Sequence, residues 1–418
     1  MRRALMAPLA IMLGFHVQAE EMPDDAALAL ADATVDSPTE NSNMKLYSEL
    51  GANQFRNQSG INNGQQFALD LFWRTRLVKG VDFTFSDRYD SYSNAYPAGG
   101  SEDVNTLREA YVDWQYLSNL AFQLGRVNVR TGVALGYNPT DYFKANSLRE
   151  IHSVDPEYLR SNRQGSFLLD TQYLWRSGAV SLYYLPEIEQ APSSSTFSLD
   201  AGSTNASQRS LLVLSQQIGD TFRPQFCVFN QLGEKPAYGF NLTQLYQDNT
   251  IFYVELSSGA VAKLADQVTG IPAAETYKTK SATGFTYTTD FKLSLTAEFE
   301  YNGAGFDKDE WRALQQQGGI GLINALIYSQ DTLSPPAKRS WFYHANWKDF
   351  LKPNLSLAGF VRVSPIDNSK QTWLKLNYPF NDKFEASIQT QFNSGKLGSV
   401  YGSTGTDRIQ QVLVRYYF

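Results

Sequence analysis

The feature that most restricts this chain is alternation with a period of two, kept up over segments of about ten residues. From Gln66 to Leu77, Phe67, Leu69, Leu71, Trp73 and Leu77 occupy odd positions, while Asp70, Arg74 and Arg76 fall on even ones. An extended strand sends these two sets to opposite faces. The pattern returns from Lys292 to Tyr301, where Leu293, Leu295, Ala297, Phe299 and Tyr301 oppose Lys292, Ser294, Thr296, Glu298 and Glu300. It returns again where Phe384, Ala386, Ile388 and Phe392 oppose Glu385, Ser387, Gln389 and Gln391.

In a soluble sandwich the apolar face is the core, whereas in a membrane barrel it faces lipid and the polar face lines the lumen. Segment length favours the barrel, because a tilted strand needs about ten residues to cross the hydrocarbon layer. Strands are expected near 44–55, 66–78, 80–89, 105–117, 119–127, 163–176, 178–186, 207–218, 222–231, 236–247, 249–258, 280–289, 291–302, 339–348, 354–363, 370–379, 383–392 and 408–418. Tight joints at Lys79-Gly80, Ser118, Ser177, Asp248 and Asn381-Asp382 alternate with longer connections at 90–104, 128–162, 187–206, 259–279, 303–338 and 393–407. The expected fold class is therefore all-β, a transmembrane antiparallel β-barrel of about eighteen strands with long extracellular loops and short periplasmic turns.

The N-terminus points to export. Met1-Arg2-Arg3 precedes an apolar run from Ala4 to Phe15, and Val17-Gln18-Ala19 ends in small residues that a signal peptidase accepts. Residues 1–19 are expected to be a signal peptide, 20–43 a flexible acidic segment, and 44–418 the barrel. No internal run of about 20 apolar residues could span a bilayer as a helix. A net charge of −6 argues against a nucleic-acid partner. The single cysteine, Cys227, excludes an intramolecular disulfide framework and a cysteine metal cluster, so no cofactor or metal is expected.

The last residues, Val412-Leu413-Val414-Arg415-Tyr416-Tyr417-Phe418, put Val412, Val414, Tyr416 and Phe418 on one face. This resembles the closing strand that Gram-negative outer-membrane proteins present to their assembly machinery. A second block, Leu107-Arg108-Glu109-Ala110-Tyr111-Val112-Asp113-Trp114 followed by Gln123-Leu124-Gly125-Arg126, Arg130-Thr131-Gly132 and Gly136-Tyr137-Asn138-Pro139-Thr140-Asp141, is similar to one in outer-membrane barrels of the porin and alginate-export-like type. The resemblance covers about a tenth of the chain. It implies a transport channel, for small solutes or for export of a polysaccharide, with the lipid bilayer, lipopolysaccharide and, through Phe418, the assembly machinery as partners. Porin-type barrels of this strand number leave homotrimer formation open.

Lumen positions mix signs: Asp70, Arg74 and Arg76, then Glu109 and Asp113, then Glu255, Glu298, Glu300 and Arg362. Such a mixture suits small polar or sugar-like solutes, or simply solvates the wall. The segment 128–162 is the foremost constriction candidate. Arg126 and Arg130 are expected there as fixed positive charge against Asp141 and the lumen carboxylates, and Asn138-Pro139-Thr140-Asp141 reads as a turn. A second segment, 303–338, is apolar. Asp307 to Glu310 read as a helix start, Gly318-Gly319-Ile320-Gly321 as an interruption before the apolar run resumes at Leu322, and Ile320, Leu322, Ile323, Leu326 and Ile327 are expected to bury against the barrel mouth, lumen or lipid.

That apolar segment keeps a hydrophobic-solute transporter as an alternative, beside a structural or adhesive surface barrel. An enzyme is not expected. No G-x-S-x-G or H-E-x-x-H motif occurs, and Ser340 lies four strand positions, roughly 13 Å, from His344.

Overall fold

The structure is a computed structural model and describes residues 43–57, 60–93, 103–219 and 221–418. The expected signal peptide and nearly all of the 20–43 segment lie outside the described residues, as do residues 94–102 of the 90–104 connection. Eighteen strands follow one another: β1 (Met44–Asn57), β2 (Gly60–Val78), β3 (Val81–Ser93), β4 (Asp103–Leu117), β5 (Leu120–Val127), β6 (Ser166–Trp175), β7 (Gly178–Leu185), β8 (Arg209–Gln216), β9 (Phe222–Gln231), β10 (Ala237–Tyr246), β11 (Thr250–Val261), β12 (Thr276–Thr288), β13 (Leu293–Asn302), β14 (Arg339–Trp347), β15 (Ser356–Ser364), β16 (Ser369–Pro379), β17 (Phe384–Ser394) and β18 (Arg408–Tyr417). Each pairs antiparallel with its sequence neighbours, and β18 closes on β1 in a register running from Tyr47↔Tyr417 to Arg56↔Arg408. Closure matters because an unpaired backbone group in lipid costs several kcal/mol.

Outward positions carry Leu50, Leu69, Leu124, Leu182, Phe226 and Ile388, all exposed. Aromatics gather at the end where β1 begins and β18 finishes. Trp114 packs with Tyr116 and Phe122, Phe291 with Trp347, and Phe384 with Tyr416, whose ring meets Phe418 edge-on at 5.0 Å. An apolar band flanked by aromatics is the surface a bilayer selects. This end carries short turns such as 79–80, 118–119 and 176–177 and is the periplasmic one.

The opposite end carries the long loops 128–165, 186–208, 262–275, 303–338 and 395–407, though 232–236 and 365–368 are short. The alternation used to find strands misses Gly60–Gln65, which nonetheless pairs with β1 down to Asn57↔Gly60. Ladder bonds come from the backbone and need no apolar side chain.

Loops carry short helices: α1 (Pro156–Ser161), α2 (Ala201–Thr204), α3 (Leu264–Thr269), α4 (Lys308–Gln317) and α5 (Ile320–Thr332). Helix α4 starts as its sequence requires. Asp307 accepts from the N–H groups of Asp309 and Glu310, Glu310 accepts from that of Asp307, and the positive φ of Gly318 and Gly319 ends the turn.

Trp311, Leu314 and Ala325 then bury with Leu264, Phe306, Ile366 and Val400, so four outer loops share one small apolar core at the mouth. Leu322 and Tyr328 pack against it, but the expected burial of the whole apolar stretch is only partial. Ile320, Ile323 and Ile327 stay exposed, because their three- and four-residue spacing puts them on the helix face turned away from that core.

Candidate functional site: a loop latched across the lumen

The loop 128–165, called L3 below, leaves β5 and folds into the barrel. Its first part sits on an apolar stretch of wall, where Val127, Val129 and Phe143 cluster with Leu168, Tyr183, Leu211, Val213 and the buried Cys227. The middle part is gripped by two lumen carboxylates. Glu255 accepts from the backbone N–H groups of Val133 (2.9 Å), Ala134 (3.1 Å) and Thr140 (2.8 Å). Glu298 accepts from those of Leu135 (3.1 Å), Gly136 (3.2 Å) and Tyr137 (2.9 Å), and from the Tyr253 hydroxyl at 2.7 Å.

Hydrogen bonds to a charged acceptor are roughly twice as strong as neutral ones, so six N–H groups on two carboxylates form a firm latch. The chain can approach this closely only at a glycine. Gly132 has φ +94°, and a Cβ there would stand 2.5 Å from a Glu255 oxygen.

Arg362 donates to the carbonyl of Gly136 and lies 3.3 Å from Glu300, so both belong to the same anchorage. Arg163 and Asp141 form a fully buried pair at 2.7 Å. Lys144 donates to the Asn138 carbonyl at 2.8 Å, and burial holds its ammonium below the usual lysine range.

Beyond this, L3 reaches the far wall. Asp155 caps α1 through the Glu157 N–H and lies 3.6 Å from Lys375, Ser153 donates to Gln389 at 3.4 Å, and His152 stacks on Tyr92 with ring centroids 4.2 Å apart. Burial pushes the His152 imidazole down to about 4, so it is neutral near pH 7.

The sequence-derived candidates therefore divide into groups. Glu255, Glu298 and Arg362 bond L3 directly, and Glu300 stands beside Arg362 as its ion partner. The pairing expected for Asp141 is different: its partner is Arg163, while Arg126 lies under the Phe167 ring at 4.8 Å with one bond to the Leu107 carbonyl, and Arg130 is exposed. Arg74 and Arg76 both bind Asp82 at 3.0 Å near the periplasmic end. Asp113 accepts from Gln123 at 3.4 Å. Glu109 faces the charge of Arg130.

Asp70 takes a two-pronged contact from Arg108 (2.6 and 2.8 Å), a residue that strict alternation from Glu109 and Asp113 puts on the lipid side. A β-bulge between Ser86 and Asp87 leaves Arg108 without a partner position and switches the inward parity of β4. Only the backbone register reveals it.

The same wall carries a charge network that alternation could place inward but not connect: Arg415–Glu49 (2.6 Å), Glu49–Arg88 (3.0 Å) and Arg88–Asp90 (2.9 Å). The L3 tip meets β16 to β18 at a small cleft lined by His152, Ser153, Trp373, Gln389 and Gln411.

No family model matches the chain, and no curated protein sequence does. Solved structures do. OccK2 (OpdF) of Pseudomonas aeruginosa, solved in complex with glucuronate, superposes with a TM-score of 0.56 over 90% of this chain and 98% of that one, at 10% identity. OccAB1 of Acinetobacter baumannii gives 0.55 over 92% and 98%, at 11% identity. The chain has the fold of Gram-negative outer-membrane porins. With its closed ladder and apolar outer face, this porin-fold barrel is built for the outer membrane.

Proposed function

We propose that this porin-fold barrel is an outer-membrane channel for small polar solutes, with L3 as its constriction. The observation that carries the reading is the latch itself: L3 is fixed to Glu255, Glu298 and Arg362 on the wall opposite its origin, so it crosses the lumen instead of covering the rim. A lumen of this strand number would otherwise be wide. A crossing loop speaks for small solutes over an exported polysaccharide, which needs an unobstructed bore. The glucuronate of the Pseudomonas structure belongs to that protein. For this chain it supports passage of sugar-sized solutes and leaves their charge open.

Deleting Asn146 to Arg160 removes the L3 tip and α1 while keeping the latched 133–140 segment. In planar bilayers the deletion should raise single-channel conductance severalfold. Assembled mutant barrels that conduct as the parent does would place the constriction elsewhere, with 303–338 next in line. A parent barrel that does not conduct at all would favour the structural or adhesive alternative.

A further inference from the structure

We infer that two arginines on the outward face of the closing seam, Arg56 and Arg408, form a binding site for the phosphate of a glycolipid head group in the outer leaflet. The inference rests on the barrel lying in the outer membrane and is independent of what passes through the lumen. The β1–β18 register puts Arg56 directly opposite Arg408. Both fall on the outward parity, in line with the pairs Gln54↔Gln410, Ala52↔Val412 and Leu50↔Val414, of which Leu50, Val412 and Val414 are exposed apolar side chains. Like charges directly opposite on paired strands repel.

Inside the barrel such charges are neutralised: Arg74, Arg88, Arg108, Arg163, Arg362 and Arg415 each meet a carboxylate. Among the described residues, the guanidinium groups of Arg56 and Arg408 have no such partner. The outward positions of β16, β17, β18, β1 and β2 carry no Asp or Glu, and Asp407, one residue before Arg408 and so of opposite parity, pairs with neither arginine. A third cation, Lys370, stands exposed on β16 opposite Ser394, one outward position beyond the row Thr372, Phe392 and Arg408.

Height selects the partner. Phe418 belongs to the periplasmic aromatic end, and Arg408 precedes it by ten residues. That is roughly 34 Å along a strand and about 26 Å along the bilayer normal at a tilt of about 40°. The apolar band of an outer-membrane barrel is about 25 Å tall, so the arginine pair sits at the level of the outer head groups.

Just below it Gln54, Asn63, Gln65 and Gln410 replace the aliphatic side chains, with Gln54 donating to Asn63 at 3.1 Å on the exposed face. Amides exchange hydrogen bonds with sugar hydroxyls, and a guanidinium gives a phosphate two parallel N–H bonds. A phosphate shared by Arg56 and Arg408 turns their repulsion into two ion contacts, and Lys370 is placed for a second phosphate on the same head group. A phosphorylated sugar lipid supplies both chemistries, whereas a plain phospholipid brings the phosphate with few hydroxyls.

The test is native mass spectrometry of the full-length barrel in detergent with bisphosphorylated lipid A, the same glycolipid stripped of its phosphates, and phosphatidylglycerol. The phosphorylated glycolipid should bind best, with the other two weaker by about tenfold or more. Arg56→Gln with Arg408→Gln should weaken it by about tenfold or more. Arg339→Gln removes an outward arginine of β14 that faces Tyr301 instead of a second cation, and should change binding by less than about threefold.

If the double variant does not assemble, Arg56→Gln alone serves the same comparison with a smaller loss. Assembled variants that bind the glycolipid as the parent does overturn the site, as does an equal loss in Arg339→Gln. Equal binding of the dephosphorylated glycolipid overturns the phosphate contact, and equal binding of phosphatidylglycerol overturns the glycolipid as its occupant.

Discussion

Two inserts of similar length, 128–165 and 303–338, leave the same end of the barrel and are held by opposite chemistry. L3 is held chiefly by polar bonds: its backbone N–H groups end on Glu255 and Glu298, and its buried side chains pair as Arg163 with Asp141. The 303–338 insert is held by apolar burial, with Trp311 and Leu314 in a small core shared by four loops. They touch where the Asn146 N–H donates to the Asp331 carbonyl at 2.8 Å. A loop that must run through a wet lumen cannot rely on a thick apolar core and takes fixed, directional bonds to the wall. A hairpin of helices at the mouth has neighbours on which to build a core and does so.

The comparison is broken most severely by removing the latch. The double substitution Glu255→Ala with Glu298→Ala leaves six backbone N–H groups without their acceptors, each bond to a charged group contributing about 1.5–3 kcal/mol. L3 should swing out of the lumen. The expected result is a severalfold rise in conductance with a noisy open level, and a parental, quiet current would show that the loop is held by something else.

Trp311→Ala should act on the other insert alone. A buried tryptophan truncated to alanine costs about 3–5 kcal/mol, enough to undo the mouth core. Limited proteolysis from outside should then cut 303–338 much faster while conductance changes by less than about twofold. The 303–338 core lies at the mouth, above the crossing of L3. A large conductance change would instead make the two inserts one gate.

Phe418→Ala should affect neither insert and so serves as their control. The Phe418 N–H donates to the Leu46 carbonyl at 3.1 Å and its ring flanks Tyr416, both at the closing seam. Fewer assembled barrels are expected on heat-modifiability gels, with unchanged current per channel. A changed unitary current would tie the seam to the pore.

The smallest effect is one of pH on the L3 tip. Burial keeps His152 neutral down to about 4, whereas a released imidazole takes up a proton near 6.5. The docked tip therefore binds fewer protons than the released one between those values. Docking is at full strength above about 6.5 and weakens as pH falls toward 4. Current fluctuations should grow over that window and the growth should vanish in His152→Phe; equal growth in that variant would assign it to other groups.

Architecture was legible because it depends on period and length alone. Strict alternation and ten-residue segments separated by Gly-, Asp- and Ser-bearing turns gave each of the eighteen strands to within a few residues, apart from Gly60–Gln65 and the outer ends of β3, β11 and β12. The helix start at Asp307 was equally local, since a capping box spans only four residues.

The site was legible only as a set of lumen-facing charges. Alternation assigns a face and says nothing of which charges meet, so it could not pair Asp141 with Arg163, or turn Glu255 and Glu298 from channel-lining charges into anchors for L3. The bulge that brings Arg108 to Asp70 inverts the parity on which the sequence argument runs. What the sequence determines here is local periodicity, which fixes strands, faces and turns. Where a long loop goes, and which carboxylates it consumes, is decided by bonds between residues more than a hundred positions apart, and only the closed barrel brings those together.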